Sequence, residues 1–221
     1  MSSMNGLFRL RTVVSPMYEE NCYIVARPGR LDCLVIDPGL DPRSILMAIE
    51  SEELSPAMVL NTHGHADHIA GNGALKEAHP GVPLVIGRSD EPMLADSNLN
   101  LSALSGFPVT SPPADRLVSE GDILEIAGFQ LEVFDIPGHS PGHVVYVQRF
   151  PGGQTVVFGG DVLFRGSIGR TDFPGGDHDL LIRGIRGKLF TLPDDTLVYP
   201  GHGPVTTVGR EKRSNPFCGL E

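Results

Sequence analysis

His63-Gly64-His65-Ala66-Asp67-His68 packs three imidazoles and one carboxylate into six residues. Imidazole nitrogen and carboxylate oxygen are the donors that zinc, iron and manganese accept. A single ion does not readily use all four side chains at this spacing. Two neighbouring ions do, with His63 and His65 turned one way and Asp67 and His68 the other. The plain alternative is a chance cluster of polar loop residues. With 8 His in 221 residues, so dense a cluster argues for a metal site.

The hexapeptide follows an apolar run at 57–61, and residues 66–78 read as a helix. A loop between the carboxyl end of a strand and a helix is where α/β proteins place their sites. Upstream, 7–14, 21–27 and 31–37 are short runs of Val, Ile, Leu and Tyr split by Pro and Gly, which read as strands. Asp41-Pro42 reads as an N-cap with proline at the first helical position, opening a helix to about Glu53. Downstream, 83–86 reads as a strand and 90–96 as a short helix. Residues 97–115 are rich in Ser, Pro and Leu without a period, and form either a loop over the site or a connection. Four strands follow at 123–126, 129–136, 144–149 and 155–158. A helix at 177–190, a strand at 196–199 and a short helix after Thr207 complete the chain. Two batches of strands with interspersed helices predict an α/β fold of two sheets covered by helices. No linker, charge run or second composition regime divides it, so one domain over 1–221 is expected.

Glycine (27) and proline (19) are abundant but not periodic, as in a globular fold with many turns. The net charge of −10 makes a poor partner for nucleic acid or an anionic membrane. Cys22, Cys33 and Cys218 are odd in number and widely spaced, so they form no disulfide framework and no C-x-x-C site. Cys22 and Cys33 lie in apolar runs and read as buried, inert thiols. Arg9 and Arg11 interrupt the N-terminal apolar stretch, so no signal-peptide core is read, and no run reaches the length of a membrane span. A cytoplasmic setting is expected.

Each apolar strand of the second half runs into a candidate ligand. Residues 129–136 lead to Pro137-Gly138-His139, 155–158 to Gly159-Gly160-Asp161, and 196–199 to Pro200-Gly201-His202. Taken singly, each is as often an ordinary turn or a solvated cap. Thr62-His63-Gly64-His65-Ala66-Asp67-His68 followed in order by His139, Asp161 and His202 resembles the metallo-β-lactamase superfamily, over about residues 21–216. Within it, the chain is similar to short, single-domain relatives of glyoxalase II, the hydroxyacylglutathione hydrolases. Gly138–His143, Gly159–Phe164, Gly166–Pro174 and Pro200–Pro204 carry that closer likeness.

The resemblance implies a four-layer αββα sandwich with the metals at the sheet edge. It implies two divalent ions, zinc first, with iron or manganese as alternatives. His63, His65 and His139 would hold one ion, Asp67, His68 and His202 the other, and Asp161 would bridge them. Asp67 and Asp161 would be the catalytic carboxylates. Arg170, Phe173 and His178 are the expected substrate contacts, and Arg170 is the motif-borne cation placed to meet a substrate carboxylate. His143 reads as structural, Asp37 as an orienter of a ligand histidine or a turn carboxylate, and His79 as a helix-end residue.

Two metals that share a hydroxide lower its pKa toward neutrality and polarise a carbonyl. A thiolate then leaves without a strong general acid, and no Gly-x-Ser-x-Gly elbow is present. Hydrolysis of a small-molecule thioester, S-lactoylglutathione or a related acyl thiol, is the expected activity. Full-length glyoxalase II has a C-terminal helical domain that grips glutathione, and this chain stops soon after His202. Thr171 and Asp172 also stand where that family has aromatics. The alternative is a persulfide dioxygenase with one iron on His63, His139 and Asp161, a relative that shares Gly169–Phe173. A lactonase and a non-catalytic metal-binding domain rank lower.

Overall fold

The computed structural model describes residues 2–4 and 6–220. One sheet takes the first half of the chain: β1 (Ser2–Met4), β2 (Phe8–Val14), β3 (Asn21–Ala26), β4 (Asp32–Ile36), β5 (Ser55–Leu60), β6 (Leu84–Gly87) and β7 (Arg116–Val118), in that spatial order. Its first four strands are antiparallel and its last four, from β4 onward, parallel. The second sheet contains β8 (Ile123–Ile126), β9 (Phe129–Asp135), β10 (Val144–Arg149) and β11 (Thr155–Gly160). After a small ribbon of β12 (Leu163–Phe164) and β13 (Ser167–Ile168), it adds β14 (Leu197–Pro200) and β15 (Thr206–Thr207). Its order is β15-β14-β11-β10-β9-β8.

The pattern of burial explains the layering. Every residue of β3 is buried, so the strand reads as a continuous apolar run rather than an alternating one. Tyr23 and Val25 enter the core between the sheets, where Tyr146, Phe158 and Tyr199 meet them. Cys22, Ile24 and Ala26 face the other way, beneath Ile45 and Ile49 of α1 (Pro42–Ser51). In the second sheet, Val145 and Val147 of β10 pack outward against Leu181 and Ile185 of a later helix. The result is the αββα sandwich that the resemblance implies. All three cysteines are free and buried, and burial pushes the Cys33 and Cys218 thiols up to about 12.

Asp41 caps α1 by accepting from the Ser44 N–H, with Pro42 in the first turn, as the sequence predicts. The helix read over 66–78 is in fact two, α2 (Ala66–Ile69) and α3 (Asn72–Ala78). The break lies at Gly71, whose N–H donates to Pro38 O at 2.7 Å. A Cβ there would come within 2.8 Å of the same oxygen. The predicted helix at 177–190 is α4 (His178–Gly187), capped by Asp177, followed by a separate 3-10 turn at Leu189–Thr191. The predicted helix at 90–96 is a 3-10 helix, Arg88–Leu94. The helix expected after Thr207 is α5 (Val208–Ser214).

This topology brings the candidate ligands to one edge. β4 and β5 are parallel, as are β11 and β14, and β9 runs antiparallel to the strand that is antiparallel to β11. The carboxyl ends of these strands therefore share an edge, and each delivers one loop. Bonds across the sandwich fasten that edge. Tyr146 Oη donates to Asn61 O (2.8 Å), the Val144 N–H to Thr62 O (2.8 Å), and Tyr23 Oη to Pro200 O (2.7 Å). Asn21 Nδ2 donates to Pro200 O and Gly203 O. Each such bond contributes a net of about 1 kcal/mol, and loses more if one buried partner is left alone.

Candidate metal centre

The loop after β5 carries His63 and His65, and α2, which follows it, carries Asp67 and His68. The loop after β9 carries His139, the end of β11 carries Asp161, and the loop after β14 carries His202. Their donor atoms form three overlapping groups: His63, His65 and His139; His63, His68 and Asp161; and Asp67, His68 and His202. Within each group the atoms lie within 4.8 Å of one another.

The outward-facing nitrogens fix the tautomers. His68 Nδ1 lies 3.1 Å from Asp37 Oδ2, a carboxylate oxygen that also accepts from the Thr62 hydroxyl. His139 Nδ1 lies 2.8 Å from Arg170 O, and His202 Nδ1 3.0 Å from Tyr18 O. Thr62 Oγ1 donates to Asp37 Oδ2, so it accepts from His63 Nδ1 at 3.1 Å. Each of these rings, when neutral, carries its proton on Nδ1 and turns a bare Nε2 inward. His65 instead presents Nδ1, 3.1 Å from His63 Nε2 and 2.9 Å from His139 Nε2. Three nitrogens thus converge, and a proton on His65 can satisfy only one of the two facing lone pairs. A cation between them resolves the crowding.

On the other side, Asp67 Oδ2 is 3.3 Å from His202 Nε2 and 3.7 Å from His68 Nε2. Asp161 reaches both sides. Its Oδ1 is 3.4 Å from His68 Nε2, and its Oδ2 is 3.5 Å from both His139 and His202 Nε2. His68 Nε2 and Asp161 Oδ1 are buried without a hydrogen-bond partner, a cost that coordination of a cation removes. The donor set therefore fits metal ions.

Electrostatics divides the same way. Burial, reinforced by neighbouring imidazoles, holds His63 well below the usual imidazole value and brings His65 down to about 3. Burial also opposes charge on His68, but the Asp67, Asp161 and Asp37 carboxylates outweigh it and push His68 up. His202 is raised as well, its burial offset by Asp67 and Asp161. A bound cation would meet the same carboxylates that favour charge on His68.

Two consequences for pH follow. His63 and His65 stay neutral in the fold, whereas their unfolded counterparts take up protons near pH 6.5. The unfolded chain then binds more protons, so these two residues lower stability as pH falls from about 6.5 toward 3. His68 runs the other way: its contribution is full below about pH 6.5 and is lost as pH rises through its elevated value. Metal binding requires neutral His68 and His202, so it competes with the protons that the neighbouring carboxylates favour on both. Calorimetry of metal loading in two buffers of different ionisation enthalpy should show net proton release at pH 7 and tighter binding as pH rises. Loading without proton release would contradict the assignment of His68 and His202.

Two residues that the sequence reading passed over, Asp90 and Asn21, hold the site in place, and a third, Glu20, lies buried close by. Asp90, read only as the start of a short helix, is buried between two ligand loops. It accepts from the Gly64 N–H (3.0 Å), the Ser140 Oγ (2.6 Å) and the Gly142 N–H (2.6 Å). Asp90→Ala should strand two buried donors and a half-buried one and cost about 3 kcal/mol. It should also loosen both loops and weaken metal affinity by about 10–100-fold, measurable by chelator competition and thermal unfolding. Asn21 secures the His202 loop, as described above. Glu20 is fully buried with neither carboxylate oxygen partnered, and burial pushes its carboxyl well up.

Asp37 anchors the Thr62 N–H, the Thr62 hydroxyl and His68, and so acts as the orienter. His143 is buried, stacks on His63 with ring centroids 4.7 Å apart, and accepts from the Asp161 N–H through Nε2. It positions two of the candidate ligand residues, and its own nitrogens are not among the clustered donor atoms.

A cavity of about 870 Å³ opens over the centre, and Arg170 and Phe173 line it. His178 does not. It stands exposed on the first turn of α4, because the Asp177 N–H is tied to Gly138 O and the Asp177 side chain caps the helix. The 97–115 segment resolves as a wall of this cavity: Leu101, Phe107 and Val109 all line it.

A family model described as the metallo-beta-lactamase superfamily matches residues 17–202. The chain is 39% identical over 202 residues to "Hydroxyacylglutathione hydrolase GloC" of Haemophilus influenzae, covering 90% of this chain and 93% of that protein. It is similar to the crystal structure of BLEG-1 B3 metallo-beta-lactamase, with a TM-score of 0.89 and 38% identity over 95% of this chain and 99% of that one. It is also similar to TTHA1623 in a di-iron-bound form, with a TM-score of 0.79 and 38% identity over 94% and 99% of the two chains. Among the described residues no helix is long and apolar enough to cross a membrane.

Proposed function

The chain belongs to the metallo-β-lactamase superfamily as one of its metallo-hydrolases, and we propose that it cleaves thioesters at a two-metal centre. The observation that carries this reading is the pair of donor sets meeting at Asp161, whose Oδ2 lies 3.5 Å from His139 of one set and from His202 of the other, while Oδ1 lies 3.4 Å from His68. His63, His65 and His139 would hold one ion, Asp67, His68 and His202 the second, and Asp161 both. When bound, such a pair supplies a hydroxide nucleophile near neutral pH and stabilises charge on a carbonyl oxygen. The likeness to the Haemophilus influenzae hydroxyacylglutathione hydrolase supports a thioester as substrate. A di-iron form of one relative keeps iron beside zinc and manganese among the candidate metals.

The chain's own residues do the positioning. Asp37, Thr62 and the carbonyls of Tyr18 and Arg170 keep protons on the outer nitrogens, so the inner ones stay bare. Asp67 and Asp161 are the two acids on the cavity wall, and they set the negative charge against which the ions bind. A thiolate is a good leaving group, so the scissile bond needs no strong acid beside it.

The test joins metal content to turnover. Protein loaded with zinc, iron or manganese should hold about two ions per chain and hydrolyse S-lactoylglutathione faster than a β-lactam. One iron per chain with oxygen uptake on glutathione persulfide would replace the proposal with the dioxygenase. A chain that binds no metal would remove both.

A further inference from the structure

The cavity over the candidate centre has a size suited to a drug-sized ligand, at about 870 Å³. Leu101, Phe107 and Val109 form one part of its wall, and Phe164, Ile168 and Phe173 another. Met17 and Tyr18, in the turn between β2 and β3, add to the lining. Three of these side chains are large, apolar and open to water: Phe107 is 74% exposed, Met17 64% and Tyr18 48%. Apolar groups gathered around a functional cavity mark a surface that a ligand covers.

Charge points the same way. Among the described residues lining the cavity, Arg170 is the sole lysine or arginine. Its Nε and Nη2 each lie 2.9 Å from one oxygen of Asp172. Its guanidinium sits 4.1 Å above the Phe173 ring. The arginine is thus answered from within its own loop. The chain as a whole carries −10. A substrate carboxylate remote from the scissile bond finds no unpaired cation in the described lining.

We propose that this cavity selects thioesters with an apolar, uncharged acyl arm of medium length over anionic glutathione thioesters. The proposal rests on the thioesterase reading and narrows its substrate class. The carbonyl would lie at the donor cluster, because His65, Asp67, His139, Asp161 and His202 border the same cavity. The acyl chain would then cover Phe107 and Met17.

The test is a series of acetyl, butanoyl and hexanoyl thioesters of N-acetylcysteamine, a neutral thiol, compared with S-lactoylglutathione on the metal-loaded protein. The kcat/KM should rise about fourfold for each methylene that becomes fully buried, and the hexanoyl thioester should exceed S-lactoylglutathione. Phe107→Ser and Met17→Ser, both at exposed positions, should lower the ratio of hexanoyl to acetyl turnover. Arg170→Ala should cost S-lactoylglutathione no more than about fivefold, the scale of an exposed ion pair. Ketone analogues, with CH2 in place of the sulfur, give a second readout by calorimetry and should bind more tightly along the same series. A flat series in both rate and binding, or a loss well above tenfold confined to S-lactoylglutathione in Arg170→Ala, would overturn the apolar-arm proposal and leave the thioesterase reading standing. Ketone binding that tightens with chain length while no thioester is cleaved would support the cavity's preference and remove the thioesterase reading.

Discussion

Asp161→Ala is expected to lower kcat/KM by about 10³-fold or more, and to bring bound metal well below two ions per chain. The size follows from what one carboxylate does here. Its two oxygens lie 3.4–3.5 Å from imidazole nitrogens of both donor sets. Removing it takes a ligand and a negative charge from each set, and with them the source of nucleophile and oxyanion stabilisation. Asp161→Asn is the sharper probe. It keeps the shape, and its backbone N–H still donates to His143 Nε2, 3.0 Å away in the present structure. Only the charge and one acceptor oxygen are lost, so the asparagine variant should fold normally and still lose most of its second metal. Elemental analysis, circular dichroism and thioester turnover on the same preparations separate these effects. More than a tenth of the parent activity in either variant would show that Asp161 does not join the two sets.

The candidate donors were legible because each is local. His63 to His68 form one run, and His139, Asp161 and His202 each follow an apolar strand and a glycine turn. The topology then needed only parallel directions among β9, β11 and β14 to bring those turns together. What local pattern could not show is the support across the sandwich. Asp90 bonds Gly142, 52 positions away, and Asn21 bonds Gly203, 182 positions away. Neither residue carries a signal in its own neighbourhood.

The helix read over 66–78 failed for a similar reason. Its apolar spacing is continuous, but the turn at Gly71 is spent on a bond to Pro38 O. Residues 97–115 lack a period because their apolar side chains are divided: Leu101 and Phe107 face the cavity, whereas Ala114 packs against the core and Val109 touches both. His178 was an over-reading of a helix start: its first turn points to water, and Asp177 does the structural work. The short strands β1, β7, β12, β13 and β15 are two or three residues each, too brief for an alternation to register.

Gly201→Ala is expected to cut kcat/KM by about 10²-fold or more, while Gly203→Ala, two residues on, keeps activity. The two glycines of one motif are there for different reasons. A Cβ on Gly201 would lie 2.2 Å from Asp161 Oδ1 and 2.7 Å from His68 Cε1. Contacts that close force the carboxylate or the imidazole to move by about an ångström, and a displacement of that size at a reacting centre costs on the order of 10²-fold. Gly201 is not among the positive-φ residues, so alanine suits its backbone and the fold should survive. Gly203 has open space around it but sits at φ +73°. Alanine there pays roughly 1–2 kcal/mol of left-handed strain and touches no donor. Thermal unfolding and metal content should therefore separate the pair: Gly203→Ala melts lower but loads and turns over, whereas Gly201→Ala retains its secondary structure and loads poorly. Normal metal content and turnover in Gly201→Ala would mean that Asp161 and His68 have room to retreat, and that the close packing against the His202 loop does not hold the centre in place.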